Sequence, residues 1–194
     1  MIVTAFALSP LAIILMLIGP AQAHSLEAAG TTLIQGLTHP FAGIDHVIAM
    51  IAVGLWAAQQ GGRATWLVPA GFLTAMAAGG WLALSGLSLP AVEPVIALSV
   101  LLLGMAVATS LRTLAPVGAA LTSAFALFHG HAHGAELPMA AEPATYVIGF
   151  LVATAALHAI GIALGRTLTF PAGRVLVRLC GGAAAVTGLA LLVA

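Results

Sequence analysis

Six apolar stretches of about 20 residues follow one another along this chain, joined by connections too short to fold on their own. They cover residues 40–59, 66–87, 94–111, 115–134, 144–165 and 173–193. Each is long enough to cross the hydrocarbon core of a bilayer as a helix. The joining segments are Gln60 to Thr65, Ser88 to Glu93, Arg112 to Leu114, Ala135 to Pro143 and Arg166 to Ala172. Nothing in them can build a soluble domain. Only 5% of the residues are charged and 62% are hydrophobic, whereas about 25% of a soluble domain is charged. The expected fold class is therefore all-α, a polytopic membrane bundle of six transmembrane helices.

The first 23 residues read as a secretory signal. An apolar run from Leu11 to Ile18 is followed by the breakers Gly19 and Pro20, and then by Ala21-Gln22-Ala23, an A-x-A cleavage pattern. Met1 to Ala5 carries no Lys or Arg, which keeps an uncleaved first transmembrane helix open as the alternative. The domain reading is residues 1–23 as signal peptide and 24–194 as the six-helix transmembrane domain.

With the mature N-terminus on the outer side, Arg63, Arg112, Arg166 and Arg174 fall in or beside inner loops, and Arg178 lies one turn further on. This agrees with the positive-inside rule. Glu27, Asp45, Glu93, Glu136 and Glu142 then lie on or near the outer side. The expected location is the bacterial inner membrane, with both mature termini periplasmic. Trp56 and Trp66 flank one inner loop like interfacial anchors. The net charge is zero, which gives no indication of nucleic-acid binding. Cys180, the single cysteine, has no partner for a disulfide or a thiolate metal site.

Against this apolar background stand two polar clusters. The first is His39-Pro40-Phe41-Ala42-Gly43-Ile44-Asp45-His46; the second is Phe128-His129-Gly130-His131-Ala132-His133-Gly134-Ala135-Glu136. Ionisable groups at membrane depth are costly and usually mark a pathway or a site. Imidazole with carboxylate suits borderline divalent metals such as nickel, cobalt and zinc.

His39 and His46 are seven residues apart, about 10.5 Å along a straight helix, too far for one ion to touch both. Either they act at different moments, or the chain breaks near Pro40 and Gly43. His129 and His133 have the i, i+4 spacing that lets two imidazoles share a metal, and Glu136 continues their face. His131 points elsewhere on a regular helix. The alternative for this cluster is a His-rich tract with adventitious metal affinity. Gly43, Gly130 and Gly134 would allow unwinding where the ligands are densest.

Glu93 is either a solvated acid or a carboxylate gate above the histidines. His24, first after the cleavage point, could chelate through its amine and imidazole, or belong to a frayed terminus. His158, alone among apolar neighbours, is either a packed core residue or a place that receives the ion further in.

His39-Pro40-x-x-Gly43-x-Asp45-His46 and Phe128-His129-Gly130-x-Ala132-His133-Gly134-x-Glu136 together resemble the HupE/UreJ family of bacterial nickel and cobalt permeases. The resemblance extends over the signal, the six helices and nearly the whole mature chain. It implies secondary uptake of Ni²⁺, in some members Co²⁺, for hydrogenase or urease maturation. The motif positions it carries over are His39, Asp45, His46, His129, His133 and Glu136. Glu93 corresponds to a family acid by location only.

The expected function is thus ATP-independent transport with no resident cofactor. The expected partners are a divalent transition-metal ion and the lipid bilayer, with the metal held by His39, Asp45, His46, His129, His133, Glu136, Glu93 and His24. No P-loop and no G-x-S-x-G elbow is present, so the chain is not read as an enzyme. Two other readings remain: an intramembrane zinc-dependent hydrolase, whose three histidines and a carboxylate would activate water, and a non-transporting metal-binding or sensor protein.

Overall fold

A computed structural model describes residues 32–137 and 143–194. The segment 1–23 expected to be a signal, and His24, Glu27 and Glu142, lie outside the described residues. Those described are helical, with no strand among them. The elements are α1 (Thr32–Thr38), a short 3-10 turn (His39–Phe41), α2 (Ile44–Gln60), α3 (Ala64–Leu84), α4 (Val92–Thr109), α5 (Ala115–Ala135), α6 (Pro143–Thr167) and α7 (Pro171–Val193).

The expected apolar segments coincide with α2 to α7. Four of these helices, α3, α4, α6 and α7, are long and apolar enough to cross a bilayer alone. α1 with the 3-10 turn, taken together with α2, makes a fifth candidate, bent by 80° at its break. α5 is as long as α3, but His129, His131, His133 and its glycines lower its hydropathy below that of the others.

Of the two readings of the first motif, the structure has the one in which the chain breaks near Pro40 and Gly43. A helix beginning at residue 40 does not form; instead the chain turns sharply and α2 starts at Ile44. Pro40 lacks the N–H that a continuing helix would use. Gly43 is extended, at φ −102° and ψ 118°, so the helical path is interrupted there.

α2 is the central helix. Ala49, Met50, Val53, Trp56 and Ala57 have no exposed surface, and they form one core with Val68, Phe72 and Met76 of α3 and Val100 and Leu103 of α4. Around it α6 packs along α2, α3 along α5, and α4 along α7. Small residues let these pairs approach until backbones touch. A Cβ on Gly54 would meet the His158 carbonyl, and one on Gly161 would meet the Ile51 carbonyl, so α2 and α6 cross there in contact. Gly130 and Gly134 do the same for α5 against the Met76 and Gly80 carbonyls of α3. This corrects the expectation that these two glycines unwind α5, which stays helical through them.

The outer surface of the bundle is apolar. Trp66, Trp81, Leu179 and Val186 are each more than 60% exposed, the arrangement expected where lipid is the solvent. Trp66 is placed as an interfacial anchor would be. Trp56 is not: it is fully buried and its indole N–H donates to the Leu111 carbonyl at 2.8 Å. The arginines collect at the opposite end of α2 from its histidine. Arg112 donates to the Gln60 carbonyl, and Arg178 to that of Ala108.

Candidate metal site

The bend before α2 builds the site. It sets the 3-10 turn against α6, and the His39 side chain meets residues from the second motif. His39 Nε2 lies 2.8 Å from His133 Nδ1 and 3.0 Å from Glu136 Oε2. The third side of this triangle, His133 Nδ1 to Glu136 Oε2, is 3.5 Å. Metal–ligand bonds of about 2.1 Å place neighbouring donors about 3.0 Å apart at right angles and about 3.4 Å apart in a tetrahedron. The three edges therefore match one face of a coordination polyhedron. Among the described residues, His39, His133 and Glu136 are the group whose donor atoms converge in this way.

Glu136 follows the last residue of α5, its backbone N–H donating to the Ala132 carbonyl. Its side chain reaches the open edge of the site and is 58% exposed. Hydrogen bonds to His133 and then to His39 hold its carboxyl well below the usual carboxylate range. It is therefore charged at neutral pH, as a carboxylate able to offset part of the cost of stripping water from a dication must be.

His133 continues the site inward. Its other nitrogen, Nε2, is 2.9 Å from His46 Nδ1, and His46 Nε2 in turn is 3.4 Å from Thr154 Oγ1. His46 and Thr154 are buried. Phe150 of α6, itself buried, lies against the rings of both His46 and His133, at centroid distances of 5.2 and 4.5 Å. His39 and His46, too far apart on a straight helix, thus contact the same residue.

His129 is placed differently from His133. The Ser99 hydroxyl donates to the Ile96 carbonyl at 2.6 Å, so its oxygen accepts from His129 Nε2 at 2.8 Å. His129 sits beside His46, with ring centroids 5.4 Å apart, but is not part of the converging triangle. His131 points away, as a regular helix requires; its Nε2 is 2.8 Å from the Leu87 carbonyl and 3.3 Å from the Leu89 N–H.

Asp45, half-buried in the first turn of α2, stands within electrostatic reach of His133. Glu93 is exposed in the first turn of α4 and is not part of the triangle. Sequence reasoning missed Ser99, Thr154 and Phe150. Ser99 and Thr154 carried a usable signal, since each is a polar residue within an apolar segment. Phe150 carried none.

The sequence pattern of the HupE / UreJ protein family matches residues 11–191. The chain belongs to the HupE/UreJ family. It is 49% identical over 177 residues to Protein HupE of Rhizobium leguminosarum bv. viciae, an alignment covering 90% of this chain and 92% of that relative. No solved structure matches the chain. Within this HupE/UreJ chain the two sequence motifs are one structural unit, since residues 97 apart supply the His39–Glu136 contact.

Proposed function

We propose that the chain imports Ni²⁺, and Co²⁺ as a related ion, across the bacterial inner membrane without ATP, supplying hydrogenase or urease maturation. The observation that carries this reading is the His39–His133–Glu136 triangle, continued inward by His46 inside an apolar bundle. Membership of a family associated with nickel and cobalt uptake supports the same ion class.

In this reading the signal segment is removed and the chain crosses the membrane six times. α5 is tolerated as a span because its histidines face the bundle rather than lipid. The arginine-bearing loops are cytoplasmic and the triangle opens to the periplasm. The carboxylates of Glu136, Asp45 and Glu93 concentrate the dication at the mouth. His39 and His133 with Glu136 then replace part of its hydration shell.

His46 draws the ion below the surface. An inward-negative potential drives a divalent ion with roughly 4.6 kcal/mol per 100 mV, twice the figure for a single charge. Nitrogen and oxygen donors, few in number and without thiolate, hold the ion weakly enough to release it.

The test is accumulation of radioactive Ni²⁺ in cells expressing the chain, beside a His46→Ala variant, with Co²⁺ as competitor. Uptake that requires His46 and falls with Co²⁺ is expected. A chain that inserts in the membrane, binds Ni²⁺ and accumulates none would be a binding protein or sensor, and the transport reading would be withdrawn.

A further inference from the structure

His158 is 1% exposed, in the middle of α6, and neither of its ring nitrogens has a hydrogen-bond partner. Buried polar groups are nearly always paired, and each exception asks for an explanation. A packed structural histidine would be tied to a carbonyl or a hydroxyl, as His131 and His129 are. His158 instead rests edge-on against Phe72, with ring centroids 5.1 Å apart and planes at 88°. It presents two unused donor atoms to the interior.

Its position continues the line of imidazoles. Thr154, which faces His46 Nε2, is one turn before His158 on the same face of α6. The His158 carbonyl abuts Gly54 of α2, eight residues and about 12 Å further along that helix than His46. Side chains on a helix lean towards its N-terminus. The N-terminal part of α6 is the end at which Tyr146 meets His39, so the His158 ring leans back towards His46. The two are within electrostatic reach of one another.

We propose that His158 is a second, deeper ligand for the transported dication, receiving it from His46 with the Thr154 hydroxyl alongside. This rests on the transport reading above. The step is a ligand exchange: a bond from the metal to a His46 nitrogen breaks as one to a His158 nitrogen forms, and no electron changes hands. Handing the ion inward in short steps avoids leaving it bare in the apolar centre of the bundle. Phe72 fills the space beside the ring, and holds it without competing for its nitrogens.

The test compares the wild-type chain with His158→Leu and His158→Gln in proteoliposomes holding a Ni²⁺-sensitive dye. Ni²⁺ binding and thermal melting are measured on the same purified proteins. Leu removes two unpaired buried polar atoms, so a merely structural His158 predicts equal or higher melting and unchanged transport. The proposal predicts equal or higher melting, binding at the outer triangle within about threefold, and transport lower by about tenfold or more. Gln, which keeps a weaker donor, should transport at an intermediate rate, and it decides the matter if the Leu variant fails to fold.

Transport by a folded Leu variant, or failing that by the Gln variant, at the wild-type rate would overturn the deep ligand and leave the transport reading standing. Absence of transport by the wild-type chain itself would overturn both.

Discussion

His133 Nε2 stands 2.9 Å from His46 Nδ1, while the other nitrogen of the same ring stands 2.8 Å from His39. One imidazole therefore joins two histidines that lie on opposite sides of a chain break. The His133 ring thus bridges the 3-10 turn and α2.

The first prediction follows from this connection. His46→Ala and His133→Ala should each lower Ni²⁺ uptake by about tenfold or more, as loss of a metal-site partner typically does. The double variant should be no worse than either single one, because residues acting as one unit are not additive. Uptake normalised to membrane-inserted protein is the measurement. Additive losses would mean that the two histidines act independently.

The second prediction concerns packing rather than metal. At Gly130 a Cβ would collide with the Met76 carbonyl, whereas at Gly182 nothing lies within 4 Å of one. Gly130→Ala should force α3 and α5 apart and destabilise the protein by about 1–3 kcal/mol. Gly182→Ala should be close to neutral. Thermal melting in one detergent compares them, and equal melting temperatures would remove the close crossing as a source of stability.

Much of this was legible in the sequence, for reasons that differ by residue. The helices were readable because an apolar run of bilayer length has few other uses, and α2 to α7 coincide with the expected segments. The site motifs were readable because histidines and carboxylates stand out against apolar neighbours. The meeting of His39 with Glu136 was not, since only the turn at Gly43 brings the two motifs together. The i, i+4 spacing pairs His129 with His133, and it gave no sign that a serine on α4 lies 2.8 Å from His129 Nε2. Spacing along one helix carries no information about what a neighbouring helix offers. Trp56 illustrates the same limit: a tryptophan near a helix end resembles an interfacial anchor until α4 ends beside it and supplies a carbonyl.

The third prediction separates His131 from its neighbours. Its Nε2 donates to the Leu87 carbonyl at 2.8 Å and so ties down the segment between α3 and α4. His131→Ala should leave Ni²⁺ affinity within about threefold of the wild type, a change well short of losing a ligand. It should speed hydrogen exchange at the Leu87 amide, which donates to the Leu82 carbonyl. A large loss of affinity with unchanged exchange would place His131 in the metal's coordination instead.

The fourth prediction concerns acid. Imidazoles bind metal only when neutral, so protons compete with Ni²⁺. Glu136 behaves differently. Its carboxyl is held below the usual range by His133 and His39, and its contribution is present above the unfolded carboxylate value and lost only as pH falls through the lower, folded one. Between about pH 7 and about pH 5, a span above the ordinary glutamate value, Glu136 therefore stays ionised and does not titrate. The part of the Ni²⁺ affinity that Glu136 supplies should therefore be constant across that range. Glu136→Gln should bind Ni²⁺ more weakly than the wild type at pH 7, and by the same factor at pH 5. Equilibrium dialysis of both proteins over the range checks this. If the difference between the two proteins shrank towards pH 5, Glu136 would be taking up a proton in that range, and the hydrogen bonds assigned to its carboxylate would be wrong.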